Sequence, residues 1–136
     1  MSKNSFFSEV LNVAGRVLLL SLFVWAGYGK ISGYAGTAEY MSSMGVPTFL
    51  LPLVILLELG GGIAIMLGFL TKPLSILMAI FSVVAAIIFH KDWTNDMQTL
   101  MFVKDFSIAG GLLILASIGG GKLSVDHFIK TKLLKK

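Results

Sequence analysis

A long apolar run with one acid at its centre constrains this chain more than any other feature. The run extends from Thr48 to Leu70, and Glu58 is its only ionisable side chain. At about 1.5 Å per helical residue the run reaches roughly 34 Å, enough to cross a hydrocarbon core of about 30 Å. An isolated carboxylate near the middle of a bilayer is costly, so such an acid is usually paired, protonated or functional. The run therefore predicts a membrane span and marks Glu58 as a candidate functional residue.

The composition supports a membrane protein and excludes thiol chemistry. Only 13% of the 136 residues are charged and 56% are hydrophobic, whereas soluble domains carry about 25% charged residues. The chain has no cysteine, which excludes disulfides, thiolate metal sites and a thiol relay within it. We predict no metal site and no cofactor in the chain other than a quinone. If the chain serves a redox reaction, the electrons travel on a bound cofactor, a quinone or a partner.

Three further apolar stretches accompany the first, and helix is the state that satisfies their backbone groups in lipid. The four stretches run from about Val10 to Tyr28, from Thr48 to Leu70, from Leu74 to His90 and from about Leu100 to Ile118. The stretch from Val10 to Tyr28 could also be a cleaved signal peptide, but no A-x-A site follows it. We expect an all-α membrane protein: a four-transmembrane-helix bundle over residues 1–121, followed by a basic amphipathic tail over residues 122–136.

The distribution of lysines predicts the orientation, because cytoplasmic loops are enriched in basic residues. With four spans, one side of the membrane holds seven lysines: Lys3, Lys72, Lys122, Lys130, Lys132, Lys135 and Lys136. The opposite loops contain only Lys30 and Lys91. Both termini should therefore be cytoplasmic (N-in/C-in). The tail lysines would face anionic lipid, so the net charge of +4 does not indicate a nucleic-acid partner.

Two short amphipathic helices are expected outside the spans. In the first outer loop, Thr37 can cap a helix that runs through Met44 and ends at Gly45. In the tail, apolar residues from Val125 to Leu133 recur at helical spacing with lysines between them, which is typical of a helix lying in the membrane interface.

We predict an intramembrane polar cluster of Arg16, Glu58, Lys104 and Asp105. Arg16 would lie roughly 9–15 Å deep in the first helix and Glu58 about 18 Å from the cytoplasmic end of the second. A paired charge is cheaper to bury than a lone one, so we expect an Arg16–Glu58 contact. Either that pair fixes helix packing and register, or Glu58 is a proton carrier or ligand contact beside a quinone-sized pocket. A fully packed interface around Glu58 would contradict the second interpretation.

Lys30 and His90 are candidate outer-face polar residues, since each ends a predicted span. A histidine side chain can exchange protons near neutral pH, so His90 either passes protons or is simply interfacial. Lys104 either snorkels to the surface or reaches Glu58 or an anionic ligand. Four methionines near this face, together with His90, leave a Cu(I) site as a minor alternative, since thioether with imidazole suits Cu(I): Met41, Met44, Met97 and Met101.

Four segments in order resemble one known family. They are RVLLLSLFVWAGYGK from Arg16, LELGGGIAIMLGFLTK around Glu58, the Phe89-His90 end of the third span, and MFVKDFSIAGGLL from Met101. Together they resemble the DoxX family of small four-helix bacterial inner-membrane proteins, some linked to thiosulfate:quinone oxidation or membrane redox defence. Carried over by position, the family's recurrent polar residues fall on Arg16, Lys30, Glu58, His90 and Lys104. Relatives commonly have asparagine where this chain has Asp105, which puts a free cationic role of Lys104 in question.

The resemblance implies an accessory subunit of a quinone-linked membrane oxidoreductase or redox-defence system, with redox enzyme subunits as partners besides the bilayer. It does not imply independent catalysis, and no catalytic residue is assigned. Two alternatives stay open: a non-enzymatic scaffold that docks soluble partners on the basic tail, and a small-solute or ion transporter. Four helices are few for a transporter, so that alternative would favour a homo-oligomer.

Overall fold

Helices joined by short loops make up the part of the chain that the structure describes. The computed structural model describes residues 5–134 and the side chains of residues 6–133. Lys3, Lys135 and Lys136, on which the predicted orientation partly rests, lie outside these residues. The helices are α1 (Ser5–Ser32), α2 (Tyr34–Ser43), α3 (Thr48–Leu67), α4 (Thr71–Phe89), α5 (Asp96–Ile118) and α6 (Val125–Leu134).

Four of these helices, α1, α3, α4 and α5, are long and apolar enough to cross a membrane. The predicted all-α, four-span architecture is therefore confirmed. The bundle has two ends: the His90 end carries α2 and the α4–α5 loop, and the tail end carries the α3–α4 turn and α6. The N-in/C-in orientation remains a prediction.

Several helices extend beyond the apolar stretches that predicted them. α4 begins at Thr71 rather than Leu74, and α5 begins at Asp96 because the Asn95 side chain accepts hydrogen bonds from the first-turn amides of Met97 and Gln98. α3 instead ends early, at Leu67, because Gly68 adopts a left-handed φ of 80° that favours glycine. Apolarity locates a span, whereas caps decide where its helix begins and ends.

α3 is irregular along its length, and its irregularity surrounds the central acid. A 3₁₀ turn (Thr48–Leu50) leads into a short α segment, then a π turn (Leu56–Gly61), then a final α segment (Gly62–Leu67). π turns inside α-helices are rare and frequently occur at functional sites. Glu58 lies within the π turn.

The core lies where all four spanning helices meet, and the outside of the bundle is apolar. The buried core comprises Leu20 and Phe23 of α1, Ile65 of α3, Met78 and Ala79 of α4, and Ala109, Leu112 and Leu115 of α5. Large apolar side chains such as Leu18 and Ile114 are exposed on the spanning helices. Such an extensive apolar exterior suits a lipid environment rather than water.

The crossing of α1 over α3 is set by Gly27. A Cβ built at Gly27 would lie 2.9 Å from both the backbone nitrogen and the Cβ of Leu59. Only a residue without a side chain allows this approach, which is the usual role of small residues between membrane helices. The contact places the turn of α1 that follows Gly27 beside the π turn of α3.

The helix predicted in the first outer loop is present, but its predicted start is wrong. α2 begins at Tyr34, and Thr37 lies inside it, donating its hydroxyl hydrogen bond to the Gly33 carbonyl at 3.0 Å instead of capping. The helix ends near the predicted glycine, since Met44 is its C-cap and Gly45 has a φ of 79°. Met41 is buried against the bundle, so α2 covers the His90 end.

A candidate ligand cavity and its polar cluster

A cavity of about 850 Å³ occupies the His90 end of the bundle and is lined by all four spanning helices and α2. Most of its wall is apolar, including Phe23, Leu57, Phe81 and Ile88. This volume lies within the range of small-molecule sites, which are typically apolar with a few convergent polar groups. Glu58 lines the cavity, so the fully packed interface that would contradict a ligand role is not what surrounds it.

Five acidic or basic side chains from four segments of the chain converge on this cavity. They are Lys30, Glu58, His90, Lys104 and Asp105. The structure therefore joins the two groups of predicted polar residues, those expected inside the membrane and those expected at its outer face. Arg16 is the predicted member that does not line the cavity.

Glu58 pairs with Lys30, which lies three residues after Gly27 on α1. Lys30 Nζ lies 2.7 Å from Glu58 Oε1, and the side chains are 28% and 7% exposed. Because Lys30 follows Gly27 by three residues, it lies on the same face of α1 and is brought down onto the π turn. Pairing lowers the cost of holding a carboxylate in a buried apolar site.

The predicted Arg16–Glu58 contact is wrong. Arg16 is 1% exposed and lies at the tail end of the bundle. Its guanidinium donates to Asn12 Oδ1 at 2.8 Å and to the carbonyls of Met66 at 3.0 Å and Leu123 at 2.5 Å, with a longer contact to Ile65 at 3.4 Å. Met66 and Ile65 lie at the C-terminal end of α3, where carbonyls lack helical partners and attract cations.

Other tail-end polar residues serve the same architecture. The Glu9 carboxylate accepts hydrogen bonds from the amides of Lys122 and Leu123. Asp126 of α6 accepts from the amides of Leu70 at 2.7 Å and Thr71 at 2.9 Å, and so caps α4 from another helix. Arg16 thus belongs to a structural network that ties α6 to the bundle rather than to the ligand cavity.

His90 and Asp105 form the second contact between basic and acidic side chains of the cavity. His90 Nε2 lies 3.8 Å from Asp105 Oδ2, and its Nδ1 lies 3.0 Å from Gln98 Oε1. Gln98 therefore fixes the imidazole orientation, in the manner that carbonyl or carboxylate partners orient histidines elsewhere. Gln98 was not predicted from the sequence as a site residue. The signal for it is its position three residues after the Asn95 cap, in the first turn of α5 and beside the loop that starts at His90.

The α4–α5 loop is held by a local turn that supports this arrangement. Asp92 Oδ1 accepts hydrogen bonds from both the hydroxyl and the amide of Thr94. These bonds, the hydroxyl bond above all, lower the pKa of Asp92 from its ordinary value. Asn95 then caps α5. The stabilisation from Asp92 is present when the carboxylate is ionised and is lost as pH falls through its lowered pKa.

α2 supplies an aromatic wall of the cavity. The Tyr40 ring stacks on Phe89 with centroids 5.4 Å apart, and both rings line the cavity. Of the four methionines considered for Cu(I), Met41 and Met101 line the cavity, whereas Met44 and Met97 are not among its lining residues. Among the described residues no group of three or more histidines and acids is placed to hold a metal ion; the Cu(I) alternative, which depends on thioether ligands, stays a prediction.

The sequence is similar to one known family and to three named bacterial proteins. A family model described as DoxX matches residues 11–91. Inner membrane protein YqjF of Escherichia coli (strain K12) is 48% identical over 88% of this chain and 92% of its own length. Inner membrane protein YphA of the same organism is 36% identical, over 87% and 89%. A Bacillus subtilis (strain 168) protein named "Putative oxidoreductase CatD" is 29% identical, over 89% and 88%. No solved structure matches.

Proposed function

Since this chain belongs to the DoxX family and is a multi-pass inner-membrane protein, we propose that it is a small subunit of a quinone-linked membrane oxidoreductase or redox-defence system that binds the quinone in its cavity. The observation that carries the proposal is the apolar cavity with its cluster of Lys30, Glu58, His90, Lys104 and Asp105. A bound quinone would supply the two-electron, two-proton chemistry, and the chain would supply the site.

The residues present fit such a ligand. A quinone ring offers two carbonyl acceptors, and its reduced form offers two hydroxyl donors. The cluster contains ammonium donors in Lys30 and Lys104 and carboxylate acceptors in Glu58 and Asp105, so it can meet either form. The stacked Tyr40 and Phe89 rings add a flat aromatic wall.

The names of the relatives support the proposal unevenly. The name of CatD refers to an oxidoreductase, while YqjF and YphA are named only for their location in the inner membrane. An accessory role suits this chain better than independent catalysis, because a chain without cysteine provides no thiol to exchange electrons with the ring.

The test is quinone binding by the purified protein and by two carboxylate variants. Protein extracted in a nonionic detergent is analysed for copurifying quinone and titrated with a short-chain ubiquinone. Glu58→Gln should lower the quinone content and weaken binding about tenfold, as expected for loss of a hydrogen bond to a charged group. The matched control is Glu39→Gln, because Glu39 is an exposed acid of α2 outside the cavity lining. A wild type that neither retains nor binds quinone would refute the proposal.

A second candidate function is a scaffold for soluble partners, favoured by the exposed lysines Lys130 and Lys132 on α6. Truncation of the tail is a poor test, because Asp126 caps α4 and the removal of α6 would damage the fold. Lys130→Gln with Lys132→Gln changes charge alone. A scaffold predicts loss of partner capture by this variant with quinone binding unchanged, whereas capture that survives it would dismiss the scaffold.

A further inference from the structure

Lys104 differs from the other charged residues of the cavity in its lack of a close counterion. Lys30 is paired with Glu58 at 2.7 Å, and Asp105 contacts His90 at 3.8 Å. Among the described side chains, no acidic oxygen lies within 4.0 Å of the Lys104 ammonium. Lys104 nevertheless lines the same cavity.

The helix geometry explains why the adjacent acid does not neutralise Lys104 by contact. Successive residues of an α-helix point about 100° apart, so Lys104 and Asp105 leave α5 in different directions. Asp105 is directed to His90 of the α4–α5 loop. The ammonium of Lys104 is thus a donor whose acceptor is not provided by the neighbouring side chain.

An ammonium beside apolar walls is best matched by an anionic oxygen. A neutral carbonyl would accept an ordinary hydrogen bond from it, whereas an ionised oxygen would accept a shorter, charge-assisted bond of roughly twice the strength. The other basic side chains of the cavity, Lys30 and His90, already contact protein carboxylates. A ligand anion would therefore add a favourable contact at Lys104 without breaking either existing pair.

We propose that Lys104 is the anion subsite of the cavity and that the preferred ligands are quinones with an ionised ring hydroxyl. This inference rests on the proposed function, since it specifies the class of quinone that the same cavity takes. It assigns Lys104 as a specificity-determining residue.

The test compares two probes that differ by one acidic hydroxyl: unsubstituted naphthoquinone and its ring-hydroxylated analogue lawsone, which is an anion at neutral pH. Binding is measured in nonionic detergent with no anionic lipid. The wild type should bind lawsone about tenfold more tightly than naphthoquinone, the effect of one charge-assisted hydrogen bond. Lys104→Gln should abolish that preference, because it weakens lawsone binding about tenfold more than naphthoquinone binding, and Lys104→Arg should retain the preference.

Lys91→Gln is the matched control, because Lys91 is an exposed lysine of the adjoining loop that does not line the cavity. It should leave the preference unchanged. Equal binding of both probes by the wild type would overturn the subsite and leave the proposed function standing, whereas binding of neither probe would refute both. A preference that survives in Lys104→Gln would also overturn it, by assigning the anion to another group. A final arm adds phosphatidylglycerol, an anionic lipid: weaker lawsone binding by the wild type but not by Lys104→Gln supports the subsite, and equal weakening in both contradicts it.

Discussion

Arg16 provides the sharpest test of the architecture, through the substitution Arg16→Lys. This change keeps the positive charge and removes the planar fork that reaches several acceptors at once. In the structure the guanidinium donates hydrogen bonds to the Asn12 side chain and to the backbone carbonyls of Met66 and Leu123. A lysine head group at the same depth is a single point and cannot reach all three.

The expected cost follows from counting these bonds. A hydrogen bond to a charged group contributes about 1.5–3 kcal/mol, and a buried acceptor left unsatisfied costs about 1–3 kcal/mol. Loss of two of the three bonds therefore predicts a destabilisation of roughly 3–6 kcal/mol. Set against total stabilities of about 5–15 kcal/mol, that loss is large. Arg16→Lys should consequently show a much lower thermal unfolding midpoint in detergent.

A double-mutant cycle separates this explanation from the direct pairing that the sequence suggested. Arg16→Lys and Glu58→Gln should be additive within about 0.5 kcal/mol, because the two residues share no partner. Lys30→Met and Glu58→Gln should instead couple by more than about 1 kcal/mol, since their side chains are in contact. Coupling of Arg16 to Glu58 above that level, or an Arg16→Lys variant as stable as wild type, would refute the reasoning.

Two further predictions concern helix packing and orientation. Gly27→Ala should destabilise the bundle by about 1–3 kcal/mol through overpacking against Leu59. Gly29→Ala is the control, because a Cβ there meets nothing within 4 Å. Equal unfolding midpoints for the two variants would contradict the close approach of α1 and α3. Because the chain has no cysteine, Thr94→Cys and Lys132→Cys each create a unique label site. An impermeant maleimide added to intact spheroplasts should label only the former, and the reverse pattern would overturn the N-in/C-in orientation.

The span count and helical class could be predicted because they depend on local properties of the chain. A bilayer requires each segment to satisfy its own backbone, so length and apolarity suffice. The residues of the candidate site could also be selected this way, because Lys30, Glu58, His90, Lys104 and Asp105 are ionisable groups within or beside apolar segments. Whether they bind a ligand stays a proposal.

The partners of these residues could not be predicted, because depth along a straight helix is a poor guide to contacts. Depths that place Arg16 opposite Glu58 apply only to regular helices, whereas α3 contains 3₁₀ and π turns around the acid. Asn12, a polar residue one turn before Arg16, is the signal in the sequence that the arginine has a local partner.

The sequence alone determined that this protein crosses the membrane four times as helices. It also determined which charged residues lie within or beside the membrane, because the bilayer penalises an unpaired backbone group or charge wherever it occurs. Only the tertiary structure decided how those charges combine. The close crossing of α1 over α3 at Gly27 places Lys30 on Glu58 and leaves Arg16 to hold the opposite end. Such pairings arise from contacts between helices, which no single segment encodes.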